Sequence, residues 1–227
     1  FLGGMLLRPQ MFAPLFRPLT QNDAPPIYVQ SSLLDLTISH LGLVAAAVLT
    51  SGLVAVSLAV LVTRSAGAEF RPLARTITQV GQTLPPVAVL ALAVPMMGFG
   101  TAPTLLALFL YGLLPIFENT VTGLSTLPPP VTEAARAMGY TARQRLWKVE
   151  LPLALPVILA GVRLTAVISL STATIGSTVA ARTLGEVIIA GLLSNNAAFV
   201  VQGGLMVGLI AVLLNDGFTL IERRLRA

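Results

Sequence analysis

The 227-residue chain is 55% hydrophobic and only 10% charged, with no cysteine, one histidine and a formal net charge of +5. A soluble domain carries roughly 25% charged residues, so a mean hydropathy of +0.87 marks an integral membrane protein. Without cysteine there is no disulfide framework, thiolate nucleophile or cysteine metal site, and a single histidine excludes a multi-histidine centre.

In chain order, the segment from Phe1 to Phe16 is apolar but broken by Arg8, Pro9 and Pro14, and it lacks the plan of a signal peptide. It reads as the stub of an upstream transmembrane helix or as an interfacial segment. Residues 17–32, with Asn22, Asp23, Pro25 and Pro26, read as a polar loop. An apolar run from about Leu41 to Val62 approaches the roughly 20 residues that span a bilayer. His40 marks its outer start, a boundary residue rather than a ligand.

After a charged loop (Arg64, Glu69, Arg71, Arg75), a second span from about Ile77 or Leu84 to Met97 is interrupted at Pro85 and Pro86. The third covers about Ala102 to Ile116, the fourth Leu153 to Ile175 and the fifth Phe199 to Leu220. Gly204 and Gly208 form a GxxxG in the fifth span, expected to serve close packing within the chain before dimerisation.

Of the 14 basic residues, ten fall on one side if the loop after the first span is inside: Arg64, Arg71, Arg75, Arg136, Arg143, Arg145, Lys148, Arg223, Arg224 and Arg226. Arg8, Arg17 and Arg182 fall on the other, and Arg163 lies within the fourth span. Cytoplasmic loops carry the excess of Lys and Arg, so the C-terminus and residues 117–151 are expected inside. This distribution explains the net charge without nucleic acid. Residues 1–39 are then an extracytoplasmic segment, and 40–227 the transmembrane domain.

The longest polar interval with a helical plan is 132–156, TEAARAMGYTARQRLWKVELPLALP. A small-residue helix from Val131 to Met138 is followed by Gly139, placed where a left-handed C′ residue is wanted. Thr141 with Gln144 three residues on is a capping box that restarts the chain as a second helix, and Pro152 marks a new segment. Alanines at 134 and 135 permit close approach to a partner, and Glu133 near the helix N-terminus suits the dipole there. Leu151-Pro152 joins this hinge to the fourth span.

Glu133, Ala134, Ala135, Gly139, Val149, Leu151 and Pro152 stand at the spacing EAA-three-residues-G-nine-residues-I-x-LP, with Val149 in place of the usual isoleucine. This resembles the signature loop of permease subunits of bacterial ATP-binding cassette (ABC) importers. The passages at 67–73, 80–100, 110–116, 148–163 and 172–188 further resemble osmoprotectant permeases for glycine betaine, choline and quaternary amines. The resemblance implies an all-α, polytopic membrane protein with the five-helix core of a type I ABC importer permease and a cytoplasmic coupling-helix hinge. It implies coupling to an ATPase through Glu133, Ala134, Ala135, Gly139, Leu151 and Pro152. The implied partners are cytoplasmic ABC ATPase subunits, a second permease copy or paralogue, an extracytoplasmic substrate-binding protein and membrane lipid, in the bacterial inner membrane. The chain has no Gly-rich phosphate loop of the GxxxxGK[ST] type, so ATP-Mg is expected in the partner ATPase; as a transport subunit, this chain is expected to bind no cofactor and not to be an enzyme.

Gln82, Thr83, Pro85 and Pro86 break the second span, where non-helical backbone needs protein or water to satisfy it. With Thr172, Thr174, Ser177 and Thr178 they are candidates for the translocation pathway, against the alternative that the hydroxyls only bond between helices. Glu118 and Arg163, at facing inner ends of the third and fourth spans, are expected to neutralise each other. A permease for another small solute, such as an amino acid or other amine, is the alternative function. A membrane-embedded enzyme lacks a convergent set of reactive groups. A membrane-anchored DNA-binding regulator would have too short a polar interval for its own core.

Overall fold

The computed structural model describes residues 1–226; Ala227 and the side chains of Leu225 and Arg226, the latter among the basic residues counted above, lie outside it. Every regular element among the described residues is helical. The elements are α1 (Leu2–Leu7), α2 (Ala13–Phe16), α3 (Leu33–Val62), α4 (Arg71–Thr83), α5 (Pro86–Met97), α6 (Thr101–Ser125), α7 (Pro129–Ala137), α8 (Ala142–Arg145), α9 (Leu151–Thr172), α10 (Gly185–Leu193) and α11 (Ala197–Arg226). Four stretches are long and apolar enough to cross a membrane: Leu33–Val62, Thr101–Ser125, Ala142–Val179 and Ala197–Arg224. A fifth arises if Ala68–Thr83 and Pro86–Met97, bent by 92°, count as one broken span. The break follows from its prolines. Leu84 (ψ 124°) and Pro85 (ψ 135°) are extended, because a residue before proline is pushed out of the helical region.

The chain forms two compact units. One comprises residues 1–47, 85–108 and 167–215. Leu36, Leu170, Leu184, Val187 and Met206 are among its fully buried residues. His40, expected at a boundary, is instead a core residue with 0% exposure. Its Nδ1 accepts the Leu184 N–H (3.2 Å), which leaves the proton on Nε2 to donate to the Leu170 carbonyl (2.9 Å). A buried imidazole needs both nitrogens satisfied, and the backbone near the end of α9 supplies the partner. The second half of the expected polar loop is also docked. Tyr28 donates its N–H to Gln202 (3.1 Å) and its hydroxyl to Glu186 (2.6 Å). Ser31 donates to the same carboxylate oxygen (2.6 Å), and Asn196 donates to the Pro25 carbonyl (2.9 Å). Gly204 and Gly208 do not pack within the chain as expected, since nothing approaches the Cβ position of either; Gly203, one residue away, packs on Ile188 instead.

The other unit comprises residues 48–84, 109–166 and 216–227. Its core joins Ala55, Ala59 and Val62 of α3, Ala74 of α4, and Leu113, Ile116, Phe117 and Val121 of α6. A smaller cluster joins Leu124, Ala154 and Ile158. Gly81 lies directly against the Leu110 backbone carbonyl, an approach no side chain would permit. Pro115 lies inside α6 and cannot donate to the Tyr111 carbonyl four residues back; Gln82 Nε2 donates to it instead, at 3.2 Å. The expected Glu118–Arg163 pair does not form. Glu118 pairs with Arg75 of α4 at 2.6 Å, while Arg163 pairs with Glu222 of α11 at 3.5 Å and donates to Thr219. Each charge is paired with the neighbouring span on its other side: Glu118 with the one before it and Arg163 with the one after it.

Candidate functional site

The hinge is assembled from consecutive capping devices. Pro129 and Pro130 open α7, where their missing N–H groups cost nothing, so the helix starts two residues before the expected Val131. Glu133 is therefore the fifth residue of α7, beyond the first turn, and draws less on the helix dipole than a residue near the N-terminus would. Gly139 follows with φ +81°. Its N–H bonds to the Arg136 carbonyl (2.9 Å), and the Tyr140 N–H reaches the Ala135 carbonyl (3.1 Å). These two bonds form a Schellman motif around a left-handed residue. Two residues later the capping box is complete: Gln144 N–H donates to Thr141 Oγ1 (3.2 Å), and Thr141 N–H donates to Gln144 Oε1 (2.9 Å).

The alanine pair divides its work. Glu133 and Ala134 are exposed, but Ala135 is 1% exposed and faces inward. Successive helical residues lie about 100° apart around the axis, so one can face outward while its neighbour faces in. Ala134 keeps the outward face flat; Ala135 allows α7 to seat on its own chain.

Pro152 does not begin a new segment. From α8 the helix continues through a π turn at Leu146–Glu150 into α9, so 142–179 is one unbroken run. The π turn lies just before Pro152, whose ring would otherwise meet the carbonyl four residues back. Leu151 and Pro152 thus stand inside a rod that carries hinge and span together. Beside it a cavity of about 540 Å³ is lined by Arg64, Arg136, Arg145 and Glu150, with hydroxyls from Thr63, Ser65 and Thr132. Glu150, 5% exposed, binds Arg64 through one carboxylate oxygen (2.5 Å) and Arg145 through the other (2.7 Å). Sequence reasoning missed this cluster. The available signal was a lone acid among Arg143, Arg145 and Lys148 at the edge of an apolar run, which calls for a partner.

The other candidates are dispersed. Thr174 and Thr178 line a cleft of about 180 Å³ with Ile175, Gly185, Ile188 and Ile189. Their hydroxyls turn back onto the carbonyls of Ser171 and Ile175, each at 2.7 Å. Ser177 is bonded to Thr183 (2.7 Å) and Thr172 is half-buried. Gln82 is held by Tyr111, Thr83 donates to Val80, Pro85 is exposed and Pro86 opens α5.

A capped helix running unbroken into a membrane-length helix, with four or five such apolar stretches and only helices among the described residues, defines a polytopic helical membrane protein by fold. The fold matches that of the MetNI methionine ABC transporter in inward-facing conformations (TM-score 0.76, 21% identity, 85% of this chain and 95% of that one). It also matches an amino acid ABC transporter with histidines (TM-score 0.71, 19% identity, 96% and 98%). The chain belongs to the family of binding-protein-dependent transport system inner membrane components, which matches residues 51–227. It is 39% identical to the osmoprotectant import permease protein OsmY of Salmonella typhimurium, over 86% of this chain and 83% of that protein. It is 34% identical to the choline transport system permease protein OpuBB of Bacillus subtilis, over 85% and 88% respectively. The protein is thus a multi-pass transport subunit of the inner membrane.

Proposed function

We propose that this chain is the permease of an ATP-driven importer that brings an osmoprotectant such as glycine betaine into the cell. The observation that carries the coupling is the hinge: the capped helix α8 runs unbroken into α9, and the Gly139 turn joins it to α7, whose outward face is flattened at Ala134 and flanked by exposed Glu133. The cargo class rests on the osmoprotectant and choline permeases it resembles. The hinge and C-terminus lie in the cytoplasm, as the basic residues direct. Two ABC ATPase subunits hold ATP-Mg and grip this hinge and its counterpart on a second permease copy or paralogue. An extracytoplasmic binding protein selects and delivers the ligand.

Closure of the ATPases draws the hinges together and rocks the attached spans, alternating access to the pathway. Thr172, Thr174, Ser177 and Thr178, with the break at Gln82, Thr83, Pro85 and Pro86, contribute its wall. Threonine hydroxyls whose protons are spent on carbonyls present oxygen lone pairs, which suit passage of a cationic methylammonium without tight holding.

The test is uptake of radiolabelled glycine betaine by proteoliposomes holding this chain, its ATPase, any partner permease and its binding protein. Accumulation that requires ATP and the binding protein is expected. Uptake without ATP would overturn the coupling, and uptake of an amino acid in place of any quaternary amine would overturn the cargo.

A further inference from the structure

We propose that Glu150 is a positioning residue: with Arg64 and Arg145 it forms a clamp through which the hinge moves the first span as well as the fourth. The inference rests on the permease reading above and adds a second mechanical output to the hinge.

Covalent continuity carries hinge motion from α8 into α9, but no backbone runs directly from α8 to α3. Arg64 stands two residues beyond the end of α3 at Val62, Arg145 closes α8, and Glu150 closes the π turn. One carboxylate oxygen serves each guanidinium. The three side chains are 7%, 15% and 28% exposed for Glu150, Arg145 and Arg64. By contrast, Arg75 and Glu118 are 65% and 33% exposed. An ion pair withdrawn from water is screened less and is harder to break than an open one, because separating it strands a buried charge.

The π turn is what makes the clamp reachable. In an α-helix, residues five apart point about 140° away from each other. The wider π turn, bonded between residues five apart, brings Arg145 and Glu150 onto one side, where Arg64 closes the set. Rigid elements joined by an ion-pair network can carry coupling between distant parts of a protein, provided the coupling is demonstrated. The adjacent open cavity of about 540 Å³, lined in part by Ala142 and Arg145, gives α8 room to shift with α3 in tow.

The experiment compares the complete reconstituted transporter, wild type, with Glu150→Gln, Glu150→Asp, Arg64→Gln and the double Arg64→Gln/Glu150→Gln. The readouts are ATP hydrolysis and the ratio of solute taken up to ATP hydrolysed. For Glu150→Gln, hydrolysis is expected to persist while the ratio falls about tenfold. Arg64→Gln should give a similar fall, the double no further fall, and Glu150→Asp an intermediate ratio. Uptake and hydrolysis declining in proportion, an unchanged ratio, or single effects that multiply in the double would overturn the clamp. If Glu150→Gln does not assemble, Arg64→Gln alone decides, since Arg64 is the more exposed member. Should the carried solute prove to be an amino acid, the cargo reading falls but the ratio is measured with that solute, and the clamp is judged on the same outcomes.

Discussion

The Glu118 carboxylate lies 2.6 Å from Arg75 Nε, so α6 is joined to α4 by an ion pair whose arginine is 65% exposed and whose carboxylate is 33% exposed. Exposed pairs contribute about 0–1 kcal/mol. Glu118→Gln should therefore shift the thermal unfolding of the purified protein very little and leave uptake intact. Arg163→Gln should be the costlier change, by about 1–3 kcal/mol, because it leaves the Glu222 carboxylate, 10% exposed, without its cation. Equal effects of the two would show that exposure does not govern these pairs.

Gly139 holds φ +81° within its Schellman motif. A residue with a Cβ pays about 1–2 kcal/mol to sit there, although nothing blocks the space itself. Gly139→Ala should weaken the hinge and reduce uptake at unchanged membrane insertion, and Gly139→Asn should do so less, since asparagine tolerates the left-handed region. Uptake kinetics across the pair, with expression as control, decide the matter.

Gly81 and Gly204 give opposite expectations for the same substitution. A methyl at Gly81 meets the Leu110 carbonyl, whereas a methyl at Gly204 meets nothing within 4 Å in this chain. Gly81→Ala should destabilise by about 1–3 kcal/mol through forced displacement of α4 from α6. Gly204→Ala should be neutral in the isolated chain. Melting temperatures in detergent would separate them.

Gln82 is the donor that repairs the gap left by Pro115. Gln82→Leu keeps the volume but leaves the Tyr111 carbonyl without its donor, at a cost of about 1–3 kcal/mol. If Gln82 served only the pathway, the variant would lose transport with its melting temperature unmoved.

Tyr28, in the docked segment before α3, has its hydroxyl pushed up to about 12, first by burial and then by its bond to the Glu186 carboxylate. Because the folded value is raised above the ordinary one near 10, the stabilisation is complete below about pH 10 and is lost as pH climbs toward 12. The tyrosinate absorbance of wild type minus Tyr28→Phe should develop close to pH 12. A difference curve centred near 10 would mean the hydroxyl is not held as described.

The sequence by itself determined the class, the hinge and its caps, because these depend on local rules. Apolar length marks the spans, and Gly139, Thr141 and Gln144 act within a few residues of themselves. The break at Pro85 was legible for the same reason. What only tertiary structure decided concerns groups whose partners lie far along the chain. Glu118 took Arg75 over Arg163, His40 joined two distant carbonyl and amide groups, and Ala135 turned inward beside an outward Ala134. Pro152 was read as a boundary, yet a π turn carries the helix through it and sets Glu150 against Arg64, 86 residues earlier in the chain. Charges near a membrane must be paired, which a sequence states plainly; which pair forms depends on where packing brings the helices.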